Sequence, residues 1–142
     1  MPYCTLQNLT DRYGEDVIRD LTDRAVPVAG AVDAAVVTEA IGNADAMIDG
    51  FVMARYALPF AVVPGMVKQL SEVIAFWNLH RHGGSEKARL DYEDAMKRLS
   101  QIQSGSFILN AAGVEPAATP KGSVETNGVT PTFTGGSMDG LI

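Results

Sequence analysis

The chain has 142 residues, of which 46% are hydrophobic and 20% charged, and its formal net charge is −6. This composition argues against a disordered chain, and because no apolar run reaches the ~20 residues that span a bilayer, we expect no contact with a membrane. The acidic balance argues against direct binding to nucleic acid, which requires clustered lysine and arginine side chains.

The N-terminus bears on the compartment, whereas the cysteine count does not. The opening residues, MPYCTLQNLT, show neither the basic nor the apolar region of a secretion signal. The single cysteine, Cys4, rules out an internal disulfide and lacks a neighbouring base that would make it a nucleophile. We therefore expect a reduced, cytoplasmic setting.

Charge is distributed unevenly along the chain. Residues 11–49 carry nine acidic and three basic side chains, whereas residues 55–104 carry seven basic and five acidic ones. Two regions of opposite sign can pair head-to-tail between copies of one chain. The same distribution also fits two solvated faces, and charge alone leaves both interpretations open.

Two short helices are predicted before the first loop. Thr5 suits the N-cap of a helix that Gly14 ends, and Glu15 begins a second helix with carboxylates at its positive end. Pro27 and Gly30 then predict a loop.

The third predicted helix starts after Asp33, which suits an N-cap. A stripe of apolar residues at three- and four-residue steps predicts its buried face: Val37, Ile41, Ala44, Ile48 and Phe51. A different face carries Asp45 and Asp49 with the weak helix formers Gly42 and Gly50, which suit close packing of another backbone. Because Pro59 disfavours a helical residue before it, we expect the helix to end near Tyr56 or Ala57.

Two further helices complete the predicted fold. Residues 66–80 are apolar around most of the girth, which predicts a helix that lies at the centre of the bundle or is covered by its neighbours. Ser85 caps a fifth helix, on whose far side Leu90 is expected to be exposed. The sequence thus predicts an all-α fold, a small bundle of about five helices, as a domain over residues 1–104.

The composition changes from residue 105 onward. The last 38 residues contain seven glycines and three prolines and show no helical period. Such a segment cannot bury enough surface to fold alone, so residues 105–142 are predicted to form an extended arm that orders on a partner and can add a β-strand to it. Its apolar side chains are the expected anchors: Phe107, Ile108, Leu109, Phe133, Met138, Leu141 and Ile142.

Candidate chemistry is sparse. Asp45 and Asp49 are neighbours on a helix, which leaves a catalytic pair, a metal site and a subunit-facing acidic surface as alternatives; no further converging ligand is evident, which favours the last. His80 and His82 share a helix face poorly, so a helix C-terminus explains them better than a metal does. We expect no enzyme, no cofactor and no metal.

Arg55 interrupts the apolar stripe at the end of the third helix. Its aliphatic stem can pass along the core to bring the guanidinium to water. Alternatively, a partly buried guanidinium can pair with an acid in the same chain or in an adjacent subunit. The sequence does not decide between these two.

Three stretches, PYCTLQNLTDRYGED, ADAMIDGFVMARYALPF and YEDAMKRLSQIQSG, resemble the head–tail adaptor proteins of Mu-like tailed bacteriophages, over roughly residues 2–109. The resemblance implies a mainly helical subunit of the virion neck, present in the host cytoplasm during assembly. It implies a ring of about twelve copies between the portal protein and the stopper or tail-terminator protein. Genomic DNA would pass through this ring without specific binding.

The resemblance also assigns expected roles to residues. We expect a set at the subunit interface or the ring lumen: Asp45, Asp49, Gly50, Arg55, Tyr56 and Leu90. An acidic lumen would repel the phosphates of passing DNA. A tail-completion protein is the closest alternative, and a small enzyme or a nucleic-acid-binding regulator is more distant.

Overall fold

A computed structural model describes residues 1–109. They form five helices, which are Leu6–Tyr13 (α1), Glu15–Thr22 (α2), Ala34–Val52 (α3), Gly65–Asn78 (α4) and Glu86–Ser104 (α5). The all-α prediction is confirmed. None of the helices in the described part of the chain is both long and apolar enough to cross a bilayer.

Three predicted N-caps are present. The Thr5 side chain accepts a hydrogen bond from the backbone N–H of Asn8, and the Asp33 carboxylate accepts from the first turn of α3. Ser85 accepts from the backbone N–H of Ala88 at the start of α5. Each cap satisfies a backbone donor that the helix leaves unpaired, which typically contributes about 1 kcal/mol.

Helices α3 and α4 together form the centre of the body. Helix α3 contacts the other four helices, and α2 also contacts α1. Helix α4 is covered by α1, α3 and α5, as its apolar composition predicts. The core consists of aliphatic side chains from each of these helices, and its largest fully buried members include Leu9, Ile18, Ile48, Ile74, Leu99 and Ile102. Burying each such side chain contributes about 1.5–3 kcal/mol, so this core holds the five helices together.

Long-range hydrogen bonds define two ends of the body. Arg55, just after α3, reaches the C-terminal carbonyls of α5. Asn78, at the end of α4, donates to the carbonyl oxygen of Ala40 near the start of α3. Helix α4 therefore runs opposite to α3 and α5. Residues 53–64 and 105–109 lie at one end of the body, and the loops 23–33 and 79–85 lie at the other.

The predicted end of the third helix is wrong. The helix stops at Val52, and a turn follows in which the N–H groups of Arg55 and Tyr56 both donate to the carbonyl oxygen of Val52. Pro59 sets only an upper limit on helix length. The chain leaves the helix earlier because Arg55 and Tyr56 bind groups at the C-terminal end of α5 and beyond it.

Candidate functional site

The predicted pair of carboxylates on α3 holds the N-terminal segment of the chain. Asp45 Oδ2 accepts from the backbone N–H of Tyr3 at 3.0 Å, and the Tyr3 hydroxyl donates to Asp49. The Ser71 hydroxyl of α4 donates to Asp45 Oδ1 at 2.7 Å, and Cys4 Sγ lies 3.2 Å from Ser71 Oγ. This network, which we call the N-terminal tie, joins residues 3–4 to α3 and α4.

Burial raises the pKa values of three groups in the N-terminal tie, as expected for side chains that hold a fold together. Burial raises the pKa of Asp45 above its ordinary value, although the donors Ser71 and Tyr3 oppose that shift. Burial, together with the hydrogen bond to Asp49, also raises the pKa of the Tyr3 hydroxyl. Chiefly through burial, the pKa of Cys4 rises to about 11. The thiol therefore stays protonated at neutral pH, and the site lacks an activated nucleophile.

A groove runs beside the N-terminal segment along α3. Its volume is about 600 Å³, and its lining includes Leu6, Ile41, Ala46, Asp45 and Asp49. The wall is mostly apolar, with the two carboxylates on one side. We call it the α3 groove. A second concavity of about 460 Å³ lies on the side of residues 58–63 and shares both carboxylates.

A line of small residues along α3 is exposed, consisting of Thr38, Gly42, Ala46 and Gly50. A Cβ added at Gly42 or Gly50 would meet nothing within 4 Å in the part of the chain that the structure describes. Packing within residues 1–109 therefore gives no reason for glycine at either position. Close approach of another chain, as the sequence predicts, stays a prediction.

Arg55 follows neither of the two alternatives. Its guanidinium is half-buried and donates to the backbone carbonyl oxygens of Gln103 at 2.8 Å and Ser104 at 2.7 Å. These are carbonyls that the end of α5 leaves without intrahelical partners, and a cation there also interacts favourably with the helix dipole. Arg55 thus ties the α3–α4 connection to the end of α5 within one chain.

Tyr56 and Leu109 lie in the core, so two expectations about contact residues require correction. Tyr56 is 3% exposed and Leu109 is 2% exposed. The Tyr56 hydroxyl accepts from the backbone N–H of Leu109 at 2.8 Å. Neither side chain is accessible to a partner in this fold, because each fills the space between the α3–α4 connection and the segment after α5. Together they attach residue 109 to the α3–α4 connection.

The remaining predicted contact residues are placed as follows. Leu90 is exposed on α5, and Ile108 is exposed beside the buried Leu109. Phe107 is half-buried, with the Arg98 guanidinium 4.8 Å from its ring centre. Residues 105–109 therefore pack on the helical body instead of extending from it. Four expected anchors lie outside the described residues: Phe133, Met138, Leu141 and Ile142.

His80, just after α4, contacts Phe76 one turn earlier in that helix. His80 Nδ1 is 2.9 Å from the carbonyl oxygen of Phe76, and its ring meets the Phe76 ring edge-on. Within residues 1–109, no three His, Cys, Asp or Glu side chains are grouped to hold a metal ion.

These features define a class of small helical protein. Its partly buried polar groups make contacts within the fold, and its concavities are open grooves on the surface. Over residues 3–127 the chain matches the family described as Bacteriophage Mu, Gp36, and it belongs to that family. It is therefore a protein of the Mu-like phage type.

Two relatives support this assignment. Gene product J of Escherichia phage Mu is 34% identical over 124 residues, which cover 86% of this chain and 85% of the relative. The Mu-like prophage FluMu protein gp36 of Haemophilus influenzae is 32% identical over 107 residues, covering 75% and 74% respectively. Homologues of this kind indicate a phage structural or morphogenesis protein.

Sequence reasoning missed Tyr3 and Ser71, which complete the N-terminal tie. Tyr3 meets Asp49 across 46 positions of sequence, and Ser71 meets Asp45 across 26. No local spacing signals such contacts. A hydroxyl on the otherwise apolar face of a central helix, as at Ser71, was the one available signal, since buried polar groups require partners.

Proposed function

We propose that this chain is the head–tail adaptor of a Mu-like phage, assembling as a ring in the neck between the portal protein and the stopper or tail-terminator protein. Membership in the Mu Gp36 family supports a phage structural role. The observation that carries the more specific proposal is the exposed line of small residues along α3, for which packing within residues 1–109 gives no reason.

Glycine on an exposed helix face costs about 1 kcal/mol relative to alanine. Gly42 and Gly50 each incur that cost where a methyl group would meet nothing within 4 Å in residues 1–109. Small residues allow a second backbone to approach to the short end of the usual interhelical distance, about 8 Å. A neighbouring copy packed along α3 would recover the cost through close contact.

Both ends of the body present apolar side chains, as a ring between two different partners requires. Val26 and Val28 are exposed at the end formed by loops 23–33 and 79–85, while Met53, Val62 and Ile108 are exposed at the opposite end. Exposed apolar residues of this kind commonly mark protein contact sites. We assign one end to the portal side and the other to the tail side of the ring.

The acidic surface suits a channel for DNA. Asp11, Glu15, Asp16 and Asp20 are exposed on α1 and α2. Carboxylates repel the DNA phosphates, so genomic DNA would pass such a surface without binding to it. In this proposal α1 and α2 contribute to the lumen, whereas Asp45 and Asp49 are largely engaged by the N-terminal tie.

The segment after Leu109 is proposed to bind the portal or a neighbouring subunit. Its starting point is fixed, because the Leu109 N–H is held by Tyr56. Residues 110–142 include the apolar Phe133, Met138, Leu141 and Ile142, which can serve as anchors. The segment would thus leave every subunit of the ring at an equivalent place.

Gly42→Leu tests the proposal at the surface that carries it. Leucine favours a helix and has open space in the isolated body, so the unfolding free energy should equal or exceed that of the wild type by up to about 1 kcal/mol. In a phage carrying this variant, completed particles should fall sharply because the side chain blocks the neighbour. The matched control is Gly65→Leu, at an exposed, open glycine of α4.

The two measurements separate folding from assembly. Chemical denaturation reports stability, and plaque titre with electron microscopy reports whether heads and tails are joined. A stable Gly42→Leu protein that completes particles at the wild-type level would contradict the proposal.

A further inference from the structure

The connection between α3 and α4 contains a run of uncharged residues. Residues 56–67, YALPFAVVPGMV, include no acidic or basic side chain, although much of this run lies at the surface. One wall of the 460 Å³ concavity comes from it: Leu58, Pro59, Phe60, Ala61 and Val63. We call this recess the 58–63 concavity. Its other wall is the N-terminal tie, whose carboxylates are already engaged by Tyr3 and Ser71.

The described part of the chain ends beside this concavity. The Leu109 N–H donates to the Tyr56 hydroxyl at 2.8 Å, and the Tyr56 ring lies 6.5 Å from the ring centre of Phe60. Phe60 belongs to the wall of the concavity. The segment after Leu109 therefore starts one aromatic ring away from it.

The end of that segment has the composition of a ligand for an uncharged recess. Residues 129–142, VTPTFTGGSMDGLI, carry a single charged side chain, Asp139, and include Phe133, Met138, Leu141 and Ile142. Burying one such side chain in an apolar site contributes about 1.5–3 kcal/mol. The sequence that precedes Phe133, residues 110–132, can extend to about 75 Å, so the distance from Leu109 is no obstacle.

The other surfaces of the described body fit this segment less well. The exposed faces of α1 and α2 carry Asp11, Glu15, Asp16 and Asp20, and α5 is laced with ion pairs such as Lys87–Asp91. Both would have to lose hydration to accept apolar side chains. The loop 23–33 lies at the opposite end of the body from Leu109.

Covalent connection favours a contact within one chain. A tethered segment experiences an effective concentration of about 1 mM at a nearby site, so even a Kd of about 0.1 mM leaves roughly 90% of molecules in the bound form. A separate partner must exceed that advantage to displace the segment. Binding to the chain's own recess is thus the state of lowest free energy before a partner is present.

We propose that, in the free subunit, residues 129–142 bind the 58–63 concavity of their own chain. The contact covers the apolar side chains of both surfaces until the neck is assembled. This inference rests on the proposed function, because the same segment is then taken up by the portal or a neighbouring subunit. The contact is an autoinhibitory one that delays association of free subunits.

A spin label on the segment tests the contact in the purified full-length protein. In Ser137→Cys the label attaches to the new cysteine, because the native Cys4 is 1% exposed. We expect the amide signals of Leu58, Ala61 and Val63 to lose more than about half of their intensity when most molecules are in the bound form. Amide signals of the loop 23–33 serve as the internal control and should keep theirs. Signals of 58–63 that are unaffected, or a loss confined to the α3 groove, would overturn the proposal.

A mixed sample separates the two copies. Spin-labelled protein without nitrogen-15 is mixed with unlabelled nitrogen-15 protein, so only a contact between copies can reduce the signals. We expect no reduction in this mixture. A reduction as large as that within one chain would assign the contact to a second copy and refute the autoinhibitory contact.

A change in the segment itself leaves the helical body untouched. Adding Phe133→Ser to the spin-labelled chain should restore most of the lost intensity at residues 58–63, whereas the matched control Thr134→Ser should not. Equal losses with both variants would contradict a contact made by apolar anchors. Absence of the unmodified chain from purified phage particles would instead reject the proposed neck function and leave the result for the free subunit standing.

Discussion

Gly105 ends α5 in the left-handed region, with φ +82°, directly against Arg55. A Cβ at this position would lie 2.5–2.8 Å from the guanidinium carbon and its two terminal nitrogens. The change Gly105→Ala therefore has two effects. It strains the backbone, and it displaces the side chain that binds the carbonyl oxygens of Gln103 and Ser104.

The expected loss of unfolding free energy is the sum of these two effects. An alanine in the left-handed region costs about 1–2 kcal/mol. Loss of two charge-assisted hydrogen bonds at a half-exposed site costs about 1–2 kcal/mol more, after allowance for solvent screening. Gly105→Ala should therefore lower the unfolding free energy by about 2–4 kcal/mol. The measurement is urea denaturation followed by circular dichroism, and the dependence of the unfolding free energy on urea concentration should not change.

Two further variants separate the effects. Gly83→Ala sits at φ +86° with nothing within 4 Å of its Cβ among the described residues, so it should show the backbone strain alone. In an Arg55→Ala background, Gly105→Ala should lose about 1–2 kcal/mol of its cost, because there is no guanidinium left to displace. Equal costs for the two glycine variants, or strict additivity with Arg55→Ala, would refute the role given to Arg55.

Two buried groups of the N-terminal tie and the segment after Leu109 can also be tested. Because burial raises the pKa of Asp45 above 3.8, the folded protein holds this proton more tightly than the unfolded chain. The unfolding free energy of the wild type relative to Asp45→Asn should therefore be greatest below about pH 3.8 and should decline as the pH rises through the pKa of Asp45 in the folded protein. A difference in unfolding free energy that stays flat or rises between about pH 3 and pH 7 would contradict this. Cys4 has a pKa of about 11 and is 1% exposed, so at pH 8 it should react with a thiol reagent at least roughly 100-fold more slowly in the folded protein than in the denatured protein. Reaction at the rate of the denatured protein would show that the N-terminal tie is open. Deletion of residues 110–142 should leave a folded body, because Phe107 and Leu109 pack within the retained part. The same deletion should stop heads from joining tails. Infectious particles made with the truncated chain would contradict the proposed role of that segment.

The helices were predictable because their signals are local. The caps Thr5, Asp33 and Ser85 lie within three residues of the groups they bind, and each apolar stripe repeats at helical spacing. The end of α3 was not predictable in this way. It depends on Arg55 and Tyr56, whose partners lie 48 to 53 residues further along the chain.

The candidate site was predictable only in part. Asp45 and Asp49 stood out as a pair, but their partner Tyr3 lies more than 40 positions away, so spacing gave no indication of the N-terminal tie. Tyr56 and Leu109 were expected to meet a partner because aromatic and aliphatic residues also occur at interfaces; their mutual hydrogen bond places them inside instead. The sequence also could not show that the space around Gly42 is open, because that depends on how the other helices pack.

We propose that other protein molecules complete the exposed surfaces of this chain. Single-particle electron microscopy of necks isolated from the phage, with this chain tagged at its N-terminus, can show those neighbours. We expect a closed ring of this chain seated against the portal, with α3 of each subunit beside its neighbour. Necks that lack the chain, or that hold it in contact with neither its own copies nor the portal, would contradict it.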